Sequence, residues 1–172
     1  MNIKEIIEMI SKNPQCIVNP PKGLPNIPDG LELPADIKEF YSICGGIRMF
    51  DGEEFSIAIL PPEDVMRSDP VILGFETGNF IADLWYVVAD DENGGYVTVD
   101  LAPERFGRCY DSFHENHVFI GATPIIAMSF SEFLLKEYEM KGRNHYWLEE
   151  DFEDLGDAYD EVDPEILDKI DF

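Results

Sequence analysis

Residues 84–101 read LWYVVADDENGGYVTVDL: two apolar runs joined by a loop of acidic residues, Asn and Gly. No other stretch restricts the fold as much. Residues 84–89 are too apolar to alternate, which predicts a central strand buried on both faces. Residues 96–101 do alternate, with Val97, Val99 and Leu101 toward one face and Tyr96, Thr98 and Asp100 toward the other. Asn93-Gly94 tolerate positive φ, so the two runs are expected to fold back as a hairpin. A calcium loop does not fit. With Gly95 in the sixth position, Asp90 and Glu92 take the first and third, but Gly94 and Leu101 fall where an oxygen ligand and a bidentate Glu are required. The loop is a turn displaying acid.

Around this hairpin the chain offers helices and further hairpins. Ile3, Ile6, Ile7 and Ile10 form a helical stripe that Pro14 closes. Residues 13–34 hold six of the twelve prolines and read as an extended connection, because the segment before them is too short to fold alone. A second helix begins near Pro34, with Ile37, Phe40, Tyr41 and Cys44 on its apolar stripe and Gly45 or Gly46 as a left-handed cap. IRMF and EFSIAIL make another hairpin across Asp51-Gly52. Residues 68–83, with Gly74 and Gly78, read as loop; Cys109-Tyr110 begins a strand, and residues 118–120 are a short apolar run. Ser129 and Glu132 have capping-box spacing ahead of a third helix that buries Phe130, Phe133, Leu134 and Tyr138 and stops at Gly142. The absence of βαβ alternation predicts an α+β fold with an antiparallel sheet. One domain is expected over residues 1–148, followed by an acidic tail, 149–172, with a short helix at 164–171.

The charge balance narrows the function classes. There are 36 acidic and 12 basic residues, a formal net charge of −24, and 11 of those negative charges lie in residues 149–172. Such a surface repels nucleic acid and anionic membrane and attracts basic partners; on composition alone it serves solubility or adaptation to salt equally well. The amino-terminal stretch carries Lys4, Glu5 and Glu8 and lacks the apolar core of a signal peptide. Cys16, Cys44 and Cys109 are scattered, as in a reducing compartment, so a cytoplasmic protein is expected.

Catalytic motifs do not appear: there is no GxSxG, GxxxxGK[ST], HExxH or GxGxxG. Cys109, His114 and His117 are the one set with zinc-like residue types, but no fourth ligand stands at a suitable spacing, and the expectation is no metal, no cofactor and no enzyme. His145, beside Tyr146 and Trp147, reads as packing or surface. Asp90 and Asp100, at the ends of the central hairpin, read as turn-capping and solvated acids.

Leu33-Pro34, Phe40-Tyr41, Gly45-Gly46, Trp85, Ala89-Asp90, Gly94, Asp100, Ala127, Phe130, Phe133 and Leu134 occur in an order that resembles the SUKH superfamily, over about residues 30–140. Its members include a fungal regulator of cell-wall glucan synthesis and many bacterial immunity proteins. The resemblance implies a central antiparallel sheet flanked by helices, no catalytic activity, and binding to a cognate toxin, often a nuclease. Combined with the acidic excess, it implies a basic protein partner, with no nucleic acid or membrane partner. The expected contact surface is Asp90, Asp91 and Glu92 of the central turn with Asp51 and Glu53 of the other turn. Trp85 is expected either as an aromatic anchor beside them or as core. The rival expectation is a regulatory scaffold that docks partners through its acidic tail.

Overall fold

The structure is a computed structural model and describes residues 1–170. Seven short strands pair antiparallel in sequence order: β1 (Cys16–Val18), β2 (Ile47–Met49), β3 (Ile57–Ile59), β4 (Trp85–Asp90), β5 (Tyr96–Asp100), β6 (Cys109–Asp111) and β7 (Ile125–Ala127). Five helices accompany them: α1 (Ile3–Ser11), α2 (Ala35–Ile43), α3 (Ser68–Leu73), α4 (Phe130–Glu139) and α5 (Pro164–Leu167). The fold is α+β, a central antiparallel sheet flanked by helices.

Alternation along the strands sends side chains into two separate cores. Tyr86, Val88, Val97, Val99 and Cys109 join α1, α2 and α4 in the larger core, where Ile6, Ile37, Phe40, Phe130 and Phe133 are fully buried. Trp85, Tyr110 and Ile125 point the other way, into a smaller core completed by Ala82, Val118, Ala158, Tyr159 and Val162. The continuous apolar run of β4 thus meets apolar atoms on both sides of the sheet, as its sequence predicts. A helix stripe and a cap account for α1: Ile3, Ile6, Ile7 and Ile10 are buried, and Asn2 and Glu5 exchange hydrogen bonds of 2.9 Å at its start. Ser129 caps α4, accepting from the Glu132 amide at 3.2 Å, but the other half of the expected capping box shifts by one residue: the Glu132 carboxylate accepts from the Met128 amide at 3.3 Å.

Several local expectations are corrected. Asp100 is not solvated but wholly buried. Its carboxylate accepts from Trp85 Nε1 (3.2 Å), Tyr110 Oη (2.5 Å), Arg105 Nε (2.9 Å) and the Ala102 amide (2.9 Å), which offsets the cost of burying charge. Trp85 is likewise fully buried, so it is core and offers no anchor to a partner. The central turn is a five-residue loop, 91–95, with positive φ at Glu92 and Gly94 rather than at Asn93. Residues 68–73 form α3, and Gly74, at φ 80°, is its left-handed stop rather than a sign of loop. β1 pairs with β2 from inside the proline-rich connection, where an edge strand tolerates proline on either side. Helix α2 ends at an extended Cys44, and the positive φ falls on Gly46, where a Cβ would meet Ile59 O at 2.8 Å.

The acidic segment after residue 148 packs across the boundary expected there. Tyr159 Oη donates to Val118 O at 3.0 Å and accepts from Asn79 Nδ2 at 2.6 Å, and the Asp157 carboxylate accepts from the Gly121 and Thr123 amides. Of the helix expected at 164–171, α5 spans Pro164–Leu167 with Asp168 as its C-cap, and residue 171 lies outside the described residues. Replacing Tyr159 with Ala should therefore lower the unfolding free energy by about 3–5 kcal/mol, as for other large buried aromatics. Urea unfolding measures it, and a loss below about 1 kcal/mol would show that this segment does not seal the second core.

Candidate functional site

A sheet meander puts alternate connections at the same end. Here the β2–β3 turn (50–56), the 91–95 loop and the stretch following β6 gather at one end of the sheet. Helix α4 climbs back toward it, and Lys141 and Gly142, both at positive φ, reverse the chain there. Gly142 has no room for a side chain: a Cβ would stand 2.7 Å from Cβ of both Phe50 and Glu53. Its carbonyl accepts from the Phe55 amide at 3.2 Å, which ties the reversal to the β2–β3 turn and delivers residues 145–148 to the sheet end.

The result is a cleft of about 670 Å³ lined by Glu54, Phe55, Asp91, Asn93, Gly95, Asp111, Phe113, Asn116, His145, Trp147 and Leu148. His145 is its electrostatic centre. Nδ1 lies 2.5 Å from Glu137 Oε1, on the buried side of α4, and Nε2 lies 3.3 Å from Asp91 Oδ2. Burial alone would lower the His145 pKa, but hydrogen bonds to Asp91 and Glu137, and their charges, raise it to about 9. An imidazolium therefore bridges two carboxylates at neutral pH. The ring stacks on Trp147 (centroids 4.7 Å apart, 2° between planes) and takes the edge of Phe55 at 5.2 Å. Glu137 is pushed up by burial, with His145 opposing. For Asp91, burial is outweighed by His145 and by the amides of Asn93 and Gly95, each 2.8 Å from Oδ1, and its pKa is lowered.

Asp111, at the end of β6, is different. Burial pushes its carboxyl up to about 6, with His145 acting in the opposite direction, and among the described residues no Lys, Arg or His nitrogen stands within ion-pair distance of it. Three carboxylates, Asp91, Asp111 and Glu137, thus share one imidazolium, and neither Lys nor Arg lines the cleft.

Of the sequence-predicted site residues only Asp91 lines this cleft, and Trp85 is in the second core. Asp91 is inside and mostly buried. Asp51 and Glu92 are exposed, and both face Arg48, which pairs with Glu92 and lies 3.8 Å from Asp51. Glu53 accepts from Gln15 Nε2 at 3.1 Å, and Asp90 is half-buried and caps the Glu92 amide at 2.6 Å. The zinc-like set is not brought together. Cys109 is buried in the sheet, His114 Nδ1 lies 3.1 Å from Gly94 O, and His117 Nε2 lies 2.9 Å from the buried Asp69. Asp69, Glu76 and Asp83 do lie within metal-ligand reach of one another, but Arg67 occupies Glu76 and Asp83, and Thr77 and His117 occupy Asp69. Sequence reasoning missed Asp111 and Glu137 and took His145 as packing or surface, whereas it is buried. Glu137 did carry a signal: it sits four residues after Phe133, on the apolar stripe.

Known proteins can now be set beside this geometry. Residues 30–136 match the model of the SMI1 / KNR4 family (SUKH-1). The chain belongs to that family. Over 165 residues, 96% of this chain and 100% of the relative, it is 38% identical to a protein named Immunity protein YokJ from Bacillus subtilis (strain 168). No solved structure gives a significant match. The cleft draws on both the family region and its surroundings: Phe55, Asp91 and Asp111 fall inside 30–136, whereas His145 and Trp147, and the Glu137 that holds His145, follow it. Among the described residues no helix is long and apolar enough to cross a membrane.

His145 and Asp111 share one linkage sign: each is raised on folding, so stability falls as pH rises through its window. His145, raised from its ordinary 6.5, contributes stability below that value and loses it as pH rises through about 9. Asp111, also raised, costs stability once ionised, above about 6, and the cost disappears as pH falls toward 4. Asp111→Asn should therefore stabilise the protein at pH 8, on the order of 1–3 kcal/mol, with the gain shrinking at pH 5. Urea titrations at the two pH values check this, and a destabilised variant at pH 8 would contradict the assignment.

Proposed function

We propose that this chain is a non-enzymatic, cytoplasmic immunity protein that neutralises a cognate toxin, and that the toxin is a basic protein blocked at its substrate cleft. The observation that carries the reading is the end-to-end similarity to a relative named as an immunity protein, within a family to which this chain belongs. The net charge of −24 supports a basic partner, and a nuclease, which must hold phosphate in a basic groove, is the enzyme class such a surface suits. The contact surface is the sheet end carrying Asp51, Glu53, Asp90 and Glu92, with Asp91 holding the loop in shape from beneath. The alternative, a scaffold docking through a free acidic arm, has less support because Ala158, Tyr159 and Val162 of that segment are committed to the second core.

The test has two parts. Tagged protein captures partners from lysate of the cells that make it, at low and high salt, and the captured protein is then expressed alone and together with this chain. Growth arrest relieved by co-expression is the expected result; a captured protein that is harmless alone, or toxicity that co-expression leaves unchanged, would refute the immunity reading. In the second part, Asp51, Glu53, Asp90 and Glu92 are replaced by their amides. Affinity for the toxin should fall more than tenfold and become less sensitive to salt. An affinity within threefold of the original would remove this surface from the account.

A further inference from the structure

The cleft differs in composition from the acidic turns. Its walls are aromatic, Phe55, Phe113 and Trp147; its polar lining is Glu54, Asp91, Asp111, Asn93, Asn116 and the His145 imidazolium, whose charge is already shared between Asp91 and Glu137. Trp147 is fixed by its parallel stack on His145, which is itself held from two sides by Asp91 and Glu137. The walls are therefore set before any partner arrives. A positively charged group entering this space would meet ring faces and a carboxylate with no cation of its own. We propose that the cleft receives an arginine side chain of the partner protein, its guanidinium lying among the aromatic walls and pairing with Asp111.

Three physical points favour a guanidinium. It is planar and weakly hydrated, so it stacks on aromatic rings at a smaller desolvation cost than an ammonium. Its fork of N–H donors matches a carboxylate. The volume of about 670 Å³ also exceeds what a bare ion needs and accommodates a long side chain. By contrast, the depression lined by Met66, Pro70, Val71 and Tyr86 holds no carboxylate; its polar groups are Asn26 and Arg67, and Arg67 is already committed to Glu76 and Asp83. The state of Asp111 fits the same role. Its raised pKa marks an ionised form that the folded chain holds at a loss, as expected for a group whose compensating charge comes from a partner.

The inference rests on the immunity reading for the source of the arginine, and the test separates the two. The blocked peptide Ac-Gly-Arg-Gly-NH2 is titrated into ¹⁵N-labelled protein, with the Lys and Glu peptides as comparisons. The Arg peptide should shift the Trp147 indole N–H and the amides of Asp111 and Phe113. The Lys peptide should do so less, the Glu peptide not at all, and Asp111→Asn should abolish the response. An Asp111→Asn response equal to the original, or equal responses to Arg and Lys, would overturn the assignment whatever the partner is. With the captured toxin, Asp111→Asn should weaken binding at least tenfold although the variant folds no less stably. Toxin bound by Asp111→Asn within threefold of the original would overturn the arginine site while leaving the immunity reading intact.

Discussion

Burial of the β4–β5 hairpin on both faces is the constraint on which the rest of the structure depends. Val88 and Val99 face the helices, and Trp85 faces the opposite side, so a single layer of helices cannot cover the sheet. The second layer is assembled from α3, loops and the acidic segment, whose Tyr159 packs against Trp85 with ring centroids 5.7 Å apart. That arrangement explains how a segment so rich in acid can still belong to the fold. Ala158, Tyr159 and Val162 turn inward, while Asp160, Glu161 and Asp163 stay outside. It also explains why Asp100 needs four donors: once the second layer closes, water no longer reaches it.

The same hairpin shapes the end of the sheet that carries the cleft. Its turn places Asp91 where His145, returning from α4, can bridge it to Glu137. Loops carried on a rigid sheet are a common location for binding residues, because the scaffold holds them while their sequence varies. In this cleft, burial, hydrogen bonding and unlike charge push neighbouring groups in different directions: Asp91 down, Asp111 and His145 up. The Asp100 network shows what a purely structural buried acid looks like here, saturated with donors on both oxygens. Asp111 lacks such a set of partners, and that contrast separates a binding group from a structural one.

Much of the fold was legible because it rests on local signals. The stripe of α1, the capping spacing of α4 and the two-faced apolar run of β4 each follow from periodicity. The family pattern, ordered along the chain, was legible too, and its residues are mostly those of the larger core. What escaped was non-local. The three-residue strands β1 and β7 are too short to show a period, and α3 was hidden because its stop glycine reads as loop. Of the site, the acidic turns were visible as surface charge, but their roles were not: Asp91 is a loop-holding, buried acid, and Asp51 and Glu92 converge on Arg48 from turns some 40 residues apart. The pairing of His145 with Glu137 depends on the Lys141-Gly142 reversal, and the lack of a cation paired with Asp111, whose carboxylate accepts from the Phe113 amide, depends on what does not reach it. Neither property belongs to any single stretch of sequence.

The central claim is that this chain binds its toxin with the sheet end that holds the cleft. Hydrogen–deuterium exchange of the chain, alone and in complex with the toxin captured with it, tests that most directly. The account predicts slowed exchange confined to residues 50–56, 91–95, 111–116 and 144–148. Protection centred instead on the outer faces of α1 and α2, with the sheet end unchanged, would contradict it.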